Sequence, residues 1–263
     1  VYNAGIGMLF WMVAARLYPK ESVGIATAML SSLGLIILIS RLGLNFSLVR
    51  FFQEDDRSSI FCTSTIVTTS LAVLLGLAFV TGIEWLSPEL SLLRDFPNSI
   101  IFLLFIGLQS FFLFAGTSFN ASRNGPYYLI QVLVTGTRLP SLFLMISGAM
   151  GIFVSFGIGV ALAAVFSFVL LFRIGIRFRF AVDRRYLRKS FRFSAGNYSA
   201  SFFSAAPGLI LPIMVLNMLG SEEAAYYSIS YAIVAIVMMV PTAIATSLFV
   251  EGSHGMPLRK VAV

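Results

Sequence analysis

The sequence predicts an all-α fold, a polytopic bundle of transmembrane helices, and three observations support that prediction. The mean hydropathy is +0.93, and only 11% of the residues are charged, against roughly 25% in an average soluble domain. Eight long apolar stretches divide the chain, and none shows the alternation of a half-buried strand. Basic residues fall almost entirely into every second gap between the stretches.

Each apolar stretch is predicted to form one membrane-crossing helix. A hydrocarbon layer of about 30 Å takes about 20 helical residues to cross, and nearly all the stretches are long enough. A helix also satisfies its own backbone hydrogen bonds, which lipid cannot do. In chain order the stretches are 1–17, 22–44, 60–86, 100–119, 127–147, 151–172, 193–219 and 224–250.

The distribution of basic residues predicts the orientation. Arg16 and Arg41, at the ends of their stretches, are counted with the gaps that follow them. Of the 18 lysines and arginines, only Arg16, Lys20 and Arg94 then belong to the odd-numbered gaps, and only Arg138 lies deep inside a stretch. Because lysine and arginine are retained on the cytoplasmic side, we expect a multi-pass protein of the cell membrane with both ends in the cytoplasm. The net charge of +7 then serves topology and contact with anionic membrane lipids, and it does not indicate a nucleic-acid partner.

The chain is predicted to contain two lobes. An N-terminal lobe of six helices spans 1–172, a basic connector spans 173–192, and the start of a second lobe spans 193–263 with two helices and a cytoplasmic tail. The turn at 17–24 corresponds weakly to the turn at 219–226, an offset of 202 residues, as expected for the internal repeats of transporters. We expect the chain to be part of a longer protein, because Val1 already lies inside an apolar run.

Several segments then resemble a known family. They include ARLYP at 15–19, VGIAT at 23–27, LGL at 42–44, LVRF at 48–51, YLRKSFRFS at 186–194 and parts of 219–254. Together they resemble the polysaccharide transporters, lipid-linked oligosaccharide flippases of the MATE-like multidrug/oligosaccharidyl-lipid/polysaccharide exporter superfamily. The resemblance implies a six-helix lobe followed by the first two helices of a second. It also implies a polyprenyl-linked glycan as substrate, no cofactor and no enzymatic step.

Arg138 is the principal candidate for binding substrate. An arginine near the middle of a membrane helix costs at least about 2.5–3.5 kcal/mol and must face a cavity or a partner. Gln131, Thr135 and Arg138 are spaced four and three residues apart, so they share one face of the fifth helix. One hypothesis is that Arg138 holds the pyrophosphate of the glycan lipid, since guanidinium matches phosphate oxygens. The other is a structural arginine that binds carbonyls exposed near Pro140 or reaches an interface.

The remaining candidates are Arg41 and Arg50, near the end of the second stretch, and Asn197 in the seventh. Arg41 and Arg50 are either topology anchors or an entry site for an anionic lipid headgroup. Asn197 begins a stripe of small and polar residues, continued by Ser201, Ser204 and Gly208. The stripe serves close helix packing or forms a cavity wall. Two prolines, Pro207 and Pro212, are expected to bend that helix.

The function predicted is movement of a lipid-linked oligosaccharide or polysaccharide precursor between leaflets by alternating access. One alternative is a cation-coupled exporter of drugs or small molecules, which usually needs a buried carboxylate. The other is a membrane-embedded glycan polymerase or glycosyltransferase, which would need a large outer loop with paired acids. No carboxylate lies in the middle of a stretch, and His254 is the only histidine, which excludes histidine-based metal clusters and triads. The oligomeric state is left open.

Overall fold

The computed structural model describes residues 2–53, 56–144, 148–179 and 181–253. All regular structure in these ranges is helical, which confirms the predicted all-α fold. The helices are α1 Tyr2–Leu17, α2 Lys20–Ser40, α3 Leu44–Phe51, α4 Arg57–Thr81, α5 Ile83–Leu86, α6 Phe96–Ala121, α7 Gly125–Val134, α8 Arg138–Leu144, α9 Gly148–Arg173, α10 Arg184–Leu219 and α11 Ser221–Ser253, with 3₁₀ segments at Pro88–Arg94 and Thr135–Thr137. The predicted cytoplasmic tail, with His254, lies outside the described residues.

The apolar stretches correspond to these helices, with three differences. The third stretch is α4 followed by the short α5, with Gly82 between them. Among the described residues, five helices (α2, α4, α6, α9 and α10) are long and apolar enough to cross a membrane. The fifth stretch is not one helix but α7, a 3₁₀ turn and α8, because Pro140 cannot donate to the carbonyl of Gly136. The second stretch ends early, at Ser40, since Leu42 and Gly43 have φ values of 48° and 76°, outside the helical range.

The basic connector predicted at 173–192 is partly helical. α10 begins at Arg184, where the Asp183 carboxylate caps the helix by accepting from the backbone N–H groups of Arg185 (2.8 Å) and Tyr186 (3.0 Å). A side chain that satisfies two otherwise unpaired donors is a strong start signal. The helix then continues through Pro207 and Pro212 to Leu219. The proposed lobe boundaries stay a prediction.

The loops between the stretches gather alternately at two ends of the bundle. At one end, the backbone N–H groups of Arg177 and Asp183 donate to the hydroxyls of Ser58 and Thr63, both at 2.9 Å. We call this the basic end, since it carries Arg41, Arg50, Arg57, Arg123 and the arginines of 173–192. At the opposite end the Tyr18 hydroxyl donates to the carbonyl of Leu142 (2.8 Å). Successive stretches therefore run up and down, as the prediction of a polytopic bundle requires.

α2 lies at the centre of the bundle. Two thirds of the residues in its most apolar segment are buried. α2 packs against α4, α9, α10 and α11. Small residues along α2 permit these close approaches: a Cβ at Gly24 would lie 1.9 Å from the Ser221 carbonyl oxygen, and one at Gly34 would lie 2.9 Å from Leu209 Cδ2. α10 and α11 are thereby held against the earlier helices through α2.

Candidate functional site

A cavity of about 280 Å³ lies between α2, α6, α9 and α10. It is placed where the helices of the first six stretches meet the first helix of the predicted second lobe. Aliphatic and aromatic side chains line most of its wall, among them Ile37, Phe156 and Leu209. Two side chains with hydrogen-bonding groups also line it, Arg41 and Gln109. An apolar cavity with a few polar groups is the usual form of a ligand site.

Arg41 stands at the basic end of this cavity. Its backbone N–H closes α2 by donating to the carbonyl of Ile37 (3.1 Å), and its side chain is half-buried. Burial lowers the pKa of the Arg41 guanidinium, yet arginine remains charged in proteins at neutral pH. The cavity is therefore positively charged at one end.

Gln109 supplies a hydrogen-bond acceptor deeper in the cavity. Its Oε1 is buried and accepts no hydrogen bond from the part of the chain that the structure describes. A buried amide oxygen without a donor costs free energy, so a ligand hydroxyl or a water molecule there would be favourable. Gln109 was not among the predicted site residues. The signal was present, since Gln109 is a long polar side chain inside the fourth apolar stretch, where such residues are rare.

Arg138 is sheltered from lipid but does not line the cavity. Only 7% of it is exposed, and its guanidinium lies over the rings of Phe10 (5.7 Å) and Phe156 (5.3 Å). Phe156 also lines the cavity, so one aromatic side chain contacts both Arg138 and the cavity. The predicted polar face of the fifth stretch is buried as expected, because Gln131 and Thr135 are 1% and 4% exposed.

Gln131 joins three helices and also lies outside the cavity lining. Its Nε2 donates to the carbonyl of Phe112 on α6 (2.8 Å) and to the hydroxyl of Ser167 on α9 (2.9 Å). A cross-helix amide of this kind stabilises packing in membrane proteins. Its Oε1 is buried and accepts no hydrogen bond from the described residues, so only the nitrogen side of the Gln131 amide is satisfied.

Replacing Gln131 with methionine is expected to lower stability, because the substitution keeps the side-chain volume and removes both hydrogen bonds. The loss should be about 0.6–2 kcal/mol, the range of interhelical hydrogen bonds in membranes. A modest fall in the melting temperature of the purified protein, with Gln53→Met at the exposed basic end as control, checks this. Unchanged melting of the Gln131 variant would show that the two bonds contribute nothing.

Arg50 and Asn197 are exposed, and neither lines the cavity. Arg50 is at the end of α3, with its guanidinium 5.9 Å from the Phe51 ring. Asn197 lies on α10, and Gly208 of the same predicted stripe packs toward α11, where a Cβ would meet the Tyr231 hydroxyl at 2.6 Å. The five predicted site residues therefore do not converge: one lines the cavity, two are buried beside it and two are on the surface.

Contacts on either side of the cavity join α10 and α11 to the earlier helices. At the basic end, the hydroxyls of Ser47 and Ser194 lie 2.5 Å apart, and Tyr198 donates to the carbonyl of Ile39 (3.0 Å). At the opposite end, Lys20 pairs with Glu222 (3.5 Å). Lys20 and Glu222 are 202 residues apart, the same offset as that of the proposed repeat, so the two turns that the prediction pairs are in contact.

The fold and the long apolar helices indicate an all-α, multi-pass membrane protein with a mostly apolar cavity between helix groups. A family model described as polysaccharide biosynthesis protein matches residues 1–249, and the chain belongs to this family. That match confirms the resemblance seen in the sequence and makes the chain a membrane protein of polysaccharide biosynthesis and export. Neither the curated proteins nor the solved structures gave a significant match. Within the described residues, no group of three histidine, cysteine or acidic side chains could hold a metal.

Proposed function

We propose that the chain moves a lipid-linked oligosaccharide or polysaccharide precursor across the cell membrane by alternating access. The observation that carries this proposal is the cavity at the junction of α2, α6, α9 and α10, with Arg41 at its basic end. Membership of the polysaccharide biosynthesis family supplies the class of substrate. No covalent step is required.

The chemistry of the cavity suits the polar part of such a substrate. Guanidinium groups recognise phosphate oxygens through paired donors, so Arg41 would bind the phosphate that joins glycan and lipid. The Gln109 oxygen would accept from a sugar hydroxyl, and the aliphatic wall would pack against the face of the sugar ring. The hydrocarbon tail would remain in the bilayer.

The size of the cavity requires that the helices move during transport. Its volume of about 280 Å³ lies below the roughly 300–1,000 Å³ of ordinary ligand sites, and an oligosaccharide is larger than most such ligands. The observed arrangement would therefore be a contracted state. α10 and α11 would separate from α2 and α3 at one end at a time, breaking either the Ser47–Ser194 contact or the Lys20–Glu222 pair.

The orientation follows from the charges. Basic loops stay in the cytoplasm, so we place the basic end, with Arg41, on the cytoplasmic side. The membrane potential, positive outside, then favours outward movement of an anionic substrate by about 2.3 kcal/mol per charge per 100 mV. An anion therefore needs no carboxylate for coupling, and the described cavity lining contains none.

Substitution of Arg41 tests the proposal. In cells that depend on the gene for this chain, Arg41→Ala should lower outward movement of the glycan lipid by about 10- to 100-fold, because a hydrogen bond to a charged group contributes about 1.5–3 kcal/mol. Arg41→Lys keeps the charge but loses the paired donors, so its rate of outward movement should lie between that of the wild type and that of Arg41→Ala. The measurement is the fraction of glycan lipid in the outer leaflet, determined with an impermeant modifying reagent.

Arg123→Ala is the matched control, since Arg123 is an exposed arginine in a turn of the same basic end and is not part of the cavity wall. This variant should move the glycan lipid at the normal rate. Normal movement of glycan lipid in Arg41→Ala, at an equal protein level, would show that the substrate does not pass through this cavity. Normal outer-leaflet glycan lipid in cells lacking the gene would remove the transport function itself.

A further inference from the structure

A second cavity, of about 780 Å³, opens at the surface of the basic end, between the end of α3 and the start of α10. We call it the basic groove. It shares no lining residue with the Arg41 cavity. Its wall consists of five cationic and two aromatic side chains: Arg184, Arg185, Arg188, Lys189, Arg192, Phe51 and Phe193.

The cations of the basic groove are held in an unfavourable place. Arg184 and Arg185 begin α10, where the helix dipole is positive and basic side chains are destabilising. Arg184, Arg188 and Arg192 follow at steps of four residues, and like charges at that spacing repel one another. No acidic residue lies in the first turn. Within the described residues, Arg184, Arg188 and Arg192 form no ion pair.

Two carboxylates of the described residues near the groove have partners outside it. The Asp183 side chain accepts from the backbone N–H groups at the start of α10, and Asp56 pairs with Arg179 at 3.6 Å. Neither of them lines the groove. These two acids line a separate cavity with Arg185 and Lys189. Arg184, Arg188 and Arg192 are not part of that cavity, so an external anion would relieve the repulsion among these three arginines.

The cations are also positioned by packing on the other side of α10. Tyr186, Ser190 and Ser194 recur at steps of four residues and are buried, so the opposite face of the helix must point outward. The Tyr186 hydroxyl and the Ser64 hydroxyl lie 2.9 Å apart, which ties this turn to α4. On the groove side, Lys189 Nζ lies 3.9 Å from the centre of the Phe51 ring. The buried face thus orients the basic face before any ligand binds.

We propose that the basic groove binds the phosphate or diphosphate headgroup of a membrane lipid. Several arginines around one opening match the oxygens of phosphate, with paired donors that lysine alone cannot supply. Phe193, which is 41% exposed, gives the groove an apolar border against which the start of a lipid tail packs. The site is separate from the Arg41 cavity, and the assignment stands whether or not the chain transports glycan lipid.

The test is binding of a short-chain phosphatidic acid to the full chain in a neutral detergent, followed by native mass spectrometry. The wild type should bind it at least about tenfold more tightly than the matching phosphatidylcholine, whose phosphate is masked by a cationic group. The triple variant Arg184→Gln, Arg188→Gln, Arg192→Gln should lose most of this preference. Melting of each variant is measured beside binding, because removing repelling charges should leave the fold intact or stabilise it.

The matched control removes three arginines elsewhere at the same end: Arg123→Gln, Arg173→Gln, Arg177→Gln. The net charge falls equally, so binding that depends only on charge would weaken equally in both triple variants, and that result would overturn the proposal. Retained binding in the groove variant would overturn it too. Inorganic pyrophosphate separates the two sources of the anion: competition shows that the groove recognises phosphate itself, and binding without competition shows that it requires the lipid.

Discussion

Gly24→Ala is expected to lower the melting temperature of the protein by about 2–12 °C. A methyl group at this position would lie 1.9 Å from the carbonyl oxygen of Ser221 and 3.1 Å from the amide nitrogen of Ala225. Both are backbone atoms of α11, so no side-chain rotation can relieve the overlap, and the two helices must move apart. Overpacking costs about 1–3 kcal/mol or more, and each kcal/mol shifts the melting temperature by roughly 2–4 °C in a chain of this size.

Gly34→Ala on the same helix is the control. There the added methyl group would meet Leu209 Cδ2 at 2.9 Å, the far end of a flexible side chain that can rotate into the cavity it already lines. The two substitutions have the same cost in helix propensity, so the difference in melting temperature isolates the backbone contact. Equal shifts in the two variants would mean that α11 does not approach α2 as closely as the structure shows.

The membrane fold was predictable because its cause is simple. Lipid offers no hydrogen-bond partners to the backbone, so a membrane-crossing segment without strand-like alternation is helical. Its length is set by the thickness of the bilayer. The eight helical regions could therefore be predicted from hydropathy. The breaks were less predictable. The turn at 135–137 depends on Pro140 depriving one carbonyl of its donor, and the end of α2 at Ser40 depends on Leu42 and Gly43 adopting positive φ values, which hydropathy does not register.

The candidate site was only partly predictable. Hydropathy identifies a polar residue that must be kept away from lipid, but it does not identify the groups that this residue contacts. Arg138 was expected to face a cavity or a partner, and the structure provides two aromatic rings. Gln131 was expected to face inward, and it binds neighbouring helices. Arg41 and Gln109 face each other only because α2 and α6 line the same cavity, and no spacing within either helix reveals that.

The family-like motifs VGIAT and LGL gain a physical explanation from the structure. They contain the two glycines, Gly24 and Gly43, that let α11 and α10 touch the earlier helices at opposite ends of the Arg41 cavity. A transporter that opens one end at a time needs close helix contacts at both ends of its cavity. All the contacts at one end must form or break together. On the proposed function, each glycine belongs to one of these contacts.

Gly43→Ala is therefore expected to affect both stability and transport. Gly43 has a φ of 76°, and an added methyl group would lie 2.6 Å from Ser194 Cβ and 3.0 Å from Tyr198 Cβ. The left-handed conformation costs about 1–2 kcal/mol for a residue with a side chain, and the overlap adds about 1–3 kcal/mol. The melting temperature should fall by about 4–20 °C, and glycan-lipid movement should fall with it because α10 can no longer close on α3.

Gly175→Ala separates the two causes, since Gly175 has a φ of 84° but no atom within 4 Å of the added methyl group. This variant carries the backbone strain alone, so it should show the smaller melting shift and normal transport. If Gly175→Ala matched Gly43→Ala in both measurements, strain would explain everything and the contact between α3 and α10 would have no part in closing the cavity. If Gly43→Ala alone lost transport at a temperature well below its melting point, the defect would lie in the closure of that contact, because the protein would still be folded.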